Sequence, residues 1–377
     1  MKLLIQPGDD VAPLVQAIKS ARKSVEAVIF RFDLREMERA LQDAVNRGVF
    51  VRALIAHTNR GGEKNLRKLE MRLLEAGVSV ARTDGELVRY HDKLLIVDRR
   101  VLYLLAFNFT YLDTERSRSF GIVTKDRKLV QEAVRLFEAD TTRQPYTPEV
   151  DRFVVSPANA RAQLARFIQG AKKTLLIYDL KISDLAMIGL LRDRAKAGVD
   201  VRVIGWVTRK NTNLEWRQLP NLRLHTRTII RDGTAAFIGS QSLRALELDK
   251  RREVGVIFRD PKAVNSLTRV FEEDWKSGNP EGQPARGPAK GEGVAEKQSL
   301  SAAKAAKRVA KAVTERLPPL SPVLERTMLR VAKEKVNIKI DSAAVEETVK
   351  EAVKGAVKEA VRDAIEEASG EKPMGHG

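Results

Sequence analysis

Residues 1–277 are one pattern written twice, and that duplication limits the fold more than any other feature of the chain. Helix-period segments at 11–24 and 158–173 lead into apolar, β-branched runs at 25–32 and 174–180. Helical segments follow at 34–48 and 183–198, with Gly48 and Gly198 where a helix-closing glycine belongs. Strand runs at 49–56 and 199–206 come next, then further strands at 120–124 and 253–258. Helices at 128–140 and 262–275 close the copies. Strands alternating with helices predict the α/β class: two similar α/β/α lobes, each a largely parallel or mixed sheet covered by helices. Pro145 and Pro148 break both patterns, which sets an N-terminal lobe at 1–142 and a C-terminal lobe at 143–277.

A shorter repeat sits inside the longer one. HDKLLIVD (91–98) and HTRTIIRD (225–232) both read His, any residue, a basic residue, four residues, Asp. By composition a given histidine carries this frame roughly one time in a hundred. Yet two of the chain's four histidines do so; the others, His57 and His376, have no companions. The agreement runs further. Asn108 follows His91 by 17 residues and Ser242 follows His225 by 17, at the ends of LAFN and GSQS. Strand parity puts His91 and Lys93 on one face. Asp98, seven residues on, falls on the other, so Asp98 and Asp232 are expected as turn or scaffold residues. Leu94 to Val97 read as a strand buried on both faces.

The charge narrows the partners. Residues 278–377 hold 18 Lys and Arg against 15 Asp and Glu, so +15 of the +18 formal charge lies on residues 1–277. Such a field favours nucleic acid, an anionic bilayer or a phosphorylated small molecule; the bland alternative is a solvated basic surface. With no cysteine, disulfides and a thiolate nucleophile are excluded. There is no P-loop and no clustered metal-ligand pattern, and no cofactor is expected. An imidazole and a cation supplied twice suit phosphodiester chemistry. Cations hold the phosphoryl oxygens, one imidazole attacks phosphorus, and the other protonates the leaving oxygen.

The two motifs match the His-x-Lys-x4-Asp signature, and residues 1–277 resemble the phospholipase D superfamily. The resemblance implies one active site at the interface of two lobes and His91 and His225 as the catalytic pair. Lys93 and Asn108 match phosphate-binding positions. In the second copy Arg227 stands at the Lys position, Ser240 in the Gly-Ser turn and Ser242 at the Asn position. Glu253, 28 residues after His225, matches a family carboxylate that orients the histidine. The matching position of the first copy holds Ser119, so His91 is expected to lack a carboxylate and His225 to be the better oriented; motif order instead favours His91 as nucleophile. Arg227 keeps the cation but changes its shape.

The expected function is a phospholipase D-like phosphodiesterase or phosphatidyltransferase acting on phospholipid through a phosphohistidine, without metal. The alternatives are a nuclease of the same chemistry and a degenerate protein that binds phosphodiesters with little turnover. An anionic membrane surface is the expected partner, with nucleic acid as the alternative. MKLLIQPGDD does not read as a signal peptide, so the expected location is cytoplasmic, at the inner face of a membrane. Beyond Ser277 the text changes. The stretch 278–298 reads as a flexible linker, opening with 5 Gly and 3 Pro in residues 278–293. Residues 299–377 read as a helical tail that self-associates or docks a partner.

Overall fold

The computed structural model describes residues 1–56, 63–83, 87–208 and 214–280. The expectations for His57, His376 and the tail lie outside them. Within them the duplication is explicit. One sheet orders its strands Lys2–Gln6, Ser117–Thr124, Val101–Leu105, Leu94–Val97, Ser24–Ile29, Phe50–Ile55 and Ser79–Arg82. The other repeats that order with Phe153–Ser156, Arg251–Phe258, Ala235–Gly239, Arg227–Arg231, Thr174–Ile182, Asp200–Val207 and Glu215–Gln218. In each, the last three strands run parallel and the others antiparallel, a mixed α/β arrangement.

Local chemistry sets the element ends. The helices Arg35–Asn46 and Leu185–Lys196 turn into their next strands at Gly48 and Gly198, with φ of 82° and 84°. That conformation strains any residue with a Cβ. The strand Leu94–Val97 is buried throughout, as a central strand covered on both faces must be.

Each lobe has a core of its own on its outer side. A third core is common to both, with Phe120 and Leu136 from the first copy packed among Tyr178, Ile238, Val254 and Phe271 from the second. The lobes are therefore not independent domains, and every described residue falls in one compact body.

Two devices lace the lobes, each used twice. The short strand Arg89–Tyr90 of the first copy pairs in parallel with Arg251–Phe258 of the second. Arg223–Leu224 of the second pairs in parallel with Ser117–Thr124 of the first. The same strands exchange ion pairs with the closing helices Arg127–Thr142 and Pro261–Ser277. Arg118 Nε and Nη2 reach the two carboxylate oxygens of Asp274 at 2.7 and 3.0 Å, and Arg252 Nη2 reaches Asp140 Oδ1 at 2.9 Å. Both arginines, and both aspartates, are related by the same 134-residue step as the two histidines.

Asp274 also accepts the Tyr178 hydroxyl at 2.7 Å. Asp274→Ala therefore strands a cation and a phenol between the lobes. It is expected to cost about 3–5 kcal/mol, the usual penalty for removing one partner of a buried pair. The urea midpoint measures this; a loss below ~1 kcal/mol would show that the ion pairs do not hold the lobes together.

Candidate active site

Each histidine leaves its own lobe just long enough to be pinned by the other. His91 lies between the borrowed strand Arg89–Tyr90 and the buried strand Leu94–Val97. Its N–H donates to the Arg252 carbonyl at 2.8 Å, and that of His225 donates to the Arg118 carbonyl at 3.0 Å. His91, Lys93, His225 and Arg227 are all buried, at 7, 1, 5 and 6% exposure. At that depth each charge must find a partner or shift its proton affinity.

The crossing of the lobes overturns the expectation for the orienting carboxylate. Glu253 does not serve His225 of its own copy. Its Oε2 lies 2.8 Å from Nδ1 of His91. The strand that carries Glu253 is the strand on which the segment before His91 pairs, so adjacency in space follows the exchange rather than the copy. Ser119, its counterpart, gives its hydroxyl to the backbone carbonyl of His225 at 2.8 Å. His91 is thus the carboxylate-held imidazole, with Nε2 left for other work. Phe30 packs edge-on against it at 4.5 Å between ring centres.

His225 has a different neighbour. Asp113 Oδ2 lies 3.1 Å from its Nδ1, within ion-pairing distance but off the line of a hydrogen bond. Asp113 is 1% exposed and held by the Asn108 N–H and Nδ2, both at 2.7 Å, and by Arg223. Glu247 occupies the same place in the second copy, accepting the Ser242 N–H at 2.8 Å. Sequence reasoning missed both carboxylates and Arg223. The signal was present: Asp113 and Glu247 each stand five residues beyond Asn108 and Ser242, and an arginine stands two before each histidine.

The cations of the two motifs differ in detail. Lys93 gives its ammonium to the His91 carbonyl and lies 5.3 Å from the Phe30 ring centre. Arg227 Nε donates to Ser242 Oγ at 3.0 Å, and Nη2 is 3.8 Å from Glu247. Its Nη1 is buried without a partner. The two departures from the motif thus fit each other, the shorter side chain at 242 receiving the longer one at 227. Asn108 keeps Oδ1 without a partner. Ser240 accepts the Val254 N–H at 3.1 Å and so braces the strand carrying Glu253.

Asp98 and Asp232 lie at the far ends of their strands. Asp98 Oδ1 accepts the N–H groups of Lys23 and Ser24 at 2.6 and 3.0 Å, and Asp232 Oδ1 those of Lys173 and Thr174 at 2.6 and 3.0 Å. Both adopt positive φ, 53° and 54°, conformations Asp tolerates in turns. These bonds outweigh the effect of burial and hold both carboxyls below their usual range.

Burial drives the His91 imidazole well below its ordinary proton affinity, and Lys93 and Arg227 push the same way. His225 is lowered for the same reason, with Arg227, Arg223 and Lys93 adding to it. Lys93 falls to about 7, because burial outweighs the favourable charge of Glu253. A bound anion would oppose the lowering at Lys93 and at His225, whose Nδ1 has no hydrogen-bond partner. Among the described residues no three His, Asp or Glu side chains converge as metal ligands.

Behind His91, Asp92 is buried with neither carboxyl oxygen hydrogen-bonded. Burial, and then the charge of Asp140, raise it to about 7. Its free-chain value is about 3.9, so folding favours the protonated form. The stability it lends is fully present below the unfolded value and is lost as pH rises through 7. Asp92→Asn is expected to leave stability near that of the parent at pH 4 and to exceed it at pH 8. Urea titrations of both proteins at the two pH values test this. The lowered histidines act in the opposite sense but cancel in the difference. An equal difference at both pH values would remove Asp92 as the titrating group.

A family model described as cardiolipin synthase, PLD-like domain, matches the chain at residues 14–141 and 164–275. The mitochondrial cardiolipin hydrolase of Danio rerio is 33% identical over 130 residues, which cover 33% of this chain and 56% of that protein, so the chain spans little more than half of its length. The structure of polyphosphate kinase from Porphyromonas gingivalis superposes with a TM-score of 0.63 at 18% identity, over 73% of this chain and 47% of that one. Phosphatidylserine synthase from Haemophilus influenzae Rd KW20 does so with a TM-score of 0.56 at 11% identity, over 74% and 87%. At these identities the structural likenesses show a common fold. The family match falls on both lobes, the same two that bring His91 and His225 together, and the chain belongs to the cardiolipin synthase, PLD-like domain family of the phospholipase D superfamily.

Proposed function

We propose that this protein is a phosphodiesterase or phosphatidyltransferase acting on phospholipid. The observation that carries the chemistry is the pairing of His91 with Glu253 beside two buried cations, one of them with an unused N–H. A neutral imidazole held at Nδ1 presents Nε2 as a nucleophile. Glu253 then offsets the positive charge that a phosphorylated imidazole acquires. Lys93 and Arg227 hold the phosphoryl oxygens. His225, charged once the anion is in place, gives its proton to the leaving alcohol as the P–O bond breaks. In the second step His225 takes a proton from water or a second alcohol, which attacks phosphorus and breaks the P–N bond. Membership of the family, the lipid substrate in a 33%-identical relative's name and the +15 charge of residues 1–277 favour an anionic phospholipid.

The assignment of the two histidines is open to a direct test. A p-nitrophenyl phosphodiester has a leaving group that needs no proton. His225→Ala is expected to keep a single-turnover burst of p-nitrophenol, and His91→Ala to show none. The reverse pattern exchanges the roles. On phosphatidylglycerol vesicles with EDTA present, His91→Ala abolishes turnover and His225→Ala slows it about 10²- to 10⁴-fold, the usual share of a general acid. Nicking of plasmid or single-stranded DNA that depends on both histidines, with lipid untouched, would replace this reading by a nuclease.

A further inference from the structure

The two copies do not match beside their histidines. In the first, Phe30 follows the strand Ser24–Ile29 and closes onto His91. In the second, 150 residues on, the equivalent residue is Leu180, and the strand Thr174–Ile182 shifts register between Asp179 and Ile182. The shift depends on Gly205, which stands where the first copy has Ile55. Gly205 has φ of 143°, and a Cβ there would lie 1.7 Å from the Asp179 carbonyl oxygen. Phe30 closes onto a histidine in one copy, whereas Leu180 lines an opening in the other.

The opening is a groove of about 520 Å³, lined among the described residues by Leu180, Trp206, Leu219, Leu222 and Leu224, with Lys181 and Gln218 alongside. The chain links it to the site at two points. Leu224 immediately precedes His225. Leu180 immediately follows Asp179, a buried carboxyl on which the charge of Arg227 acts. Arg223, on the opposite face of the same short strand as Leu224, lines a polar cavity of about 210 Å³ with Arg31, Asp33 and Asn108. One strand thus divides an apolar groove from a polar one at the histidine it delivers.

We propose that the groove takes the acyl chain of the substrate, with the polar cavity toward the headgroup. This rests on the phospholipid reading above. A molecule polar on one side of its phosphodiester and aliphatic on the other fits this division. A nucleic acid strand, charged on both sides of each phosphate, does not. Four leucines and Trp206 make most of the groove's lining side chains apolar, which suits a hydrocarbon chain. Trp206 is 46% exposed, the partial wetting expected of an aromatic at a lipid–water boundary.

Trp206 also supplies the readout, because Trp216 and Trp275 are buried. Diacyl phosphatidylglycerols of increasing short chain length, below their micelle concentrations, are added to the intact protein. Trp206 emission is expected to shift to the blue, with affinity rising about fourfold per methylene until the groove is full. Glycerophosphoglycerol, the same diester without chains, produces no shift. Leu222→Glu abolishes the shift and flattens the dependence of kcat/KM on chain length, whereas Leu222→Met preserves both. If lipid is turned over but Trp206 stays silent and chain length has no effect, the groove is not the acyl site and the lipid reading stands. If Trp206 reports lipid that is never cleaved, the reaction fails and the groove stands. A shift with single-stranded oligonucleotide and none with lipid overturns the proposal in favour of a stacked base.

Discussion

Two backbone hydrogen bonds, His91 N–H to Arg252 and His225 N–H to Arg118, organise everything else at the site. Each joins a catalytic candidate of one lobe to a strand of the other. Those strands are themselves fixed by the reciprocal arginine–aspartate pairs and by the shared core. Folding either lobe alone would leave its histidine segment without the strand it pairs on. The duplication therefore produces one site rather than two, and the interface is as much core as surface.

The same exchange explains what the sequence made legible and what it hid. The lobe order, the mixed sheets, the glycines at 48 and 198 and the motif histidines all depend on local pattern, and local pattern repeats. The sequence expectation of Asp98 as a turn or scaffold residue holds, although the cause is not alternation along one strand: His91 and Asp98 lie beyond opposite ends of Leu94–Val97, and the carboxylate binds the chain at the far end. The carboxylate that orients a histidine depends on which strands become neighbours. Matching Glu253 to His225 assumed that each copy completes itself. It completes the other one instead. Asp113 and Glu247 were readable in principle, since they repeat at a fixed step, but their offset of five residues from Asn108 and Ser242 carries no chemistry until a short helix turns them inward. Gly205 was unreadable as an opening, because its effect lies in a carbonyl across the sheet.

Burying so many like charges sets the electrostatic character of the site. Lys93 and Arg227 are buried beside both imidazoles, and the lowered proton affinities of the histidines follow from desolvation first and from these cations next. Such a site is under tension without an anion, and relief of that tension is binding energy.

Symmetry and asymmetry then divide the labour. What phosphoryl transfer needs in pairs, imidazole and cation, the two copies retain. Around those pairs the copies differ: a glutamate on one imidazole and an aspartate off-line on the other, a lysine against an arginine, a phenylalanine against one histidine and a glycine beside the groove of the other copy. Glu253 and Phe30 lie against His91 and Asp113 against His225, while Lys93 and Arg227 act on both imidazoles. The copies thus share the imidazole and the cation and differ in what surrounds each imidazole, so the two sides of one site have unlike environments.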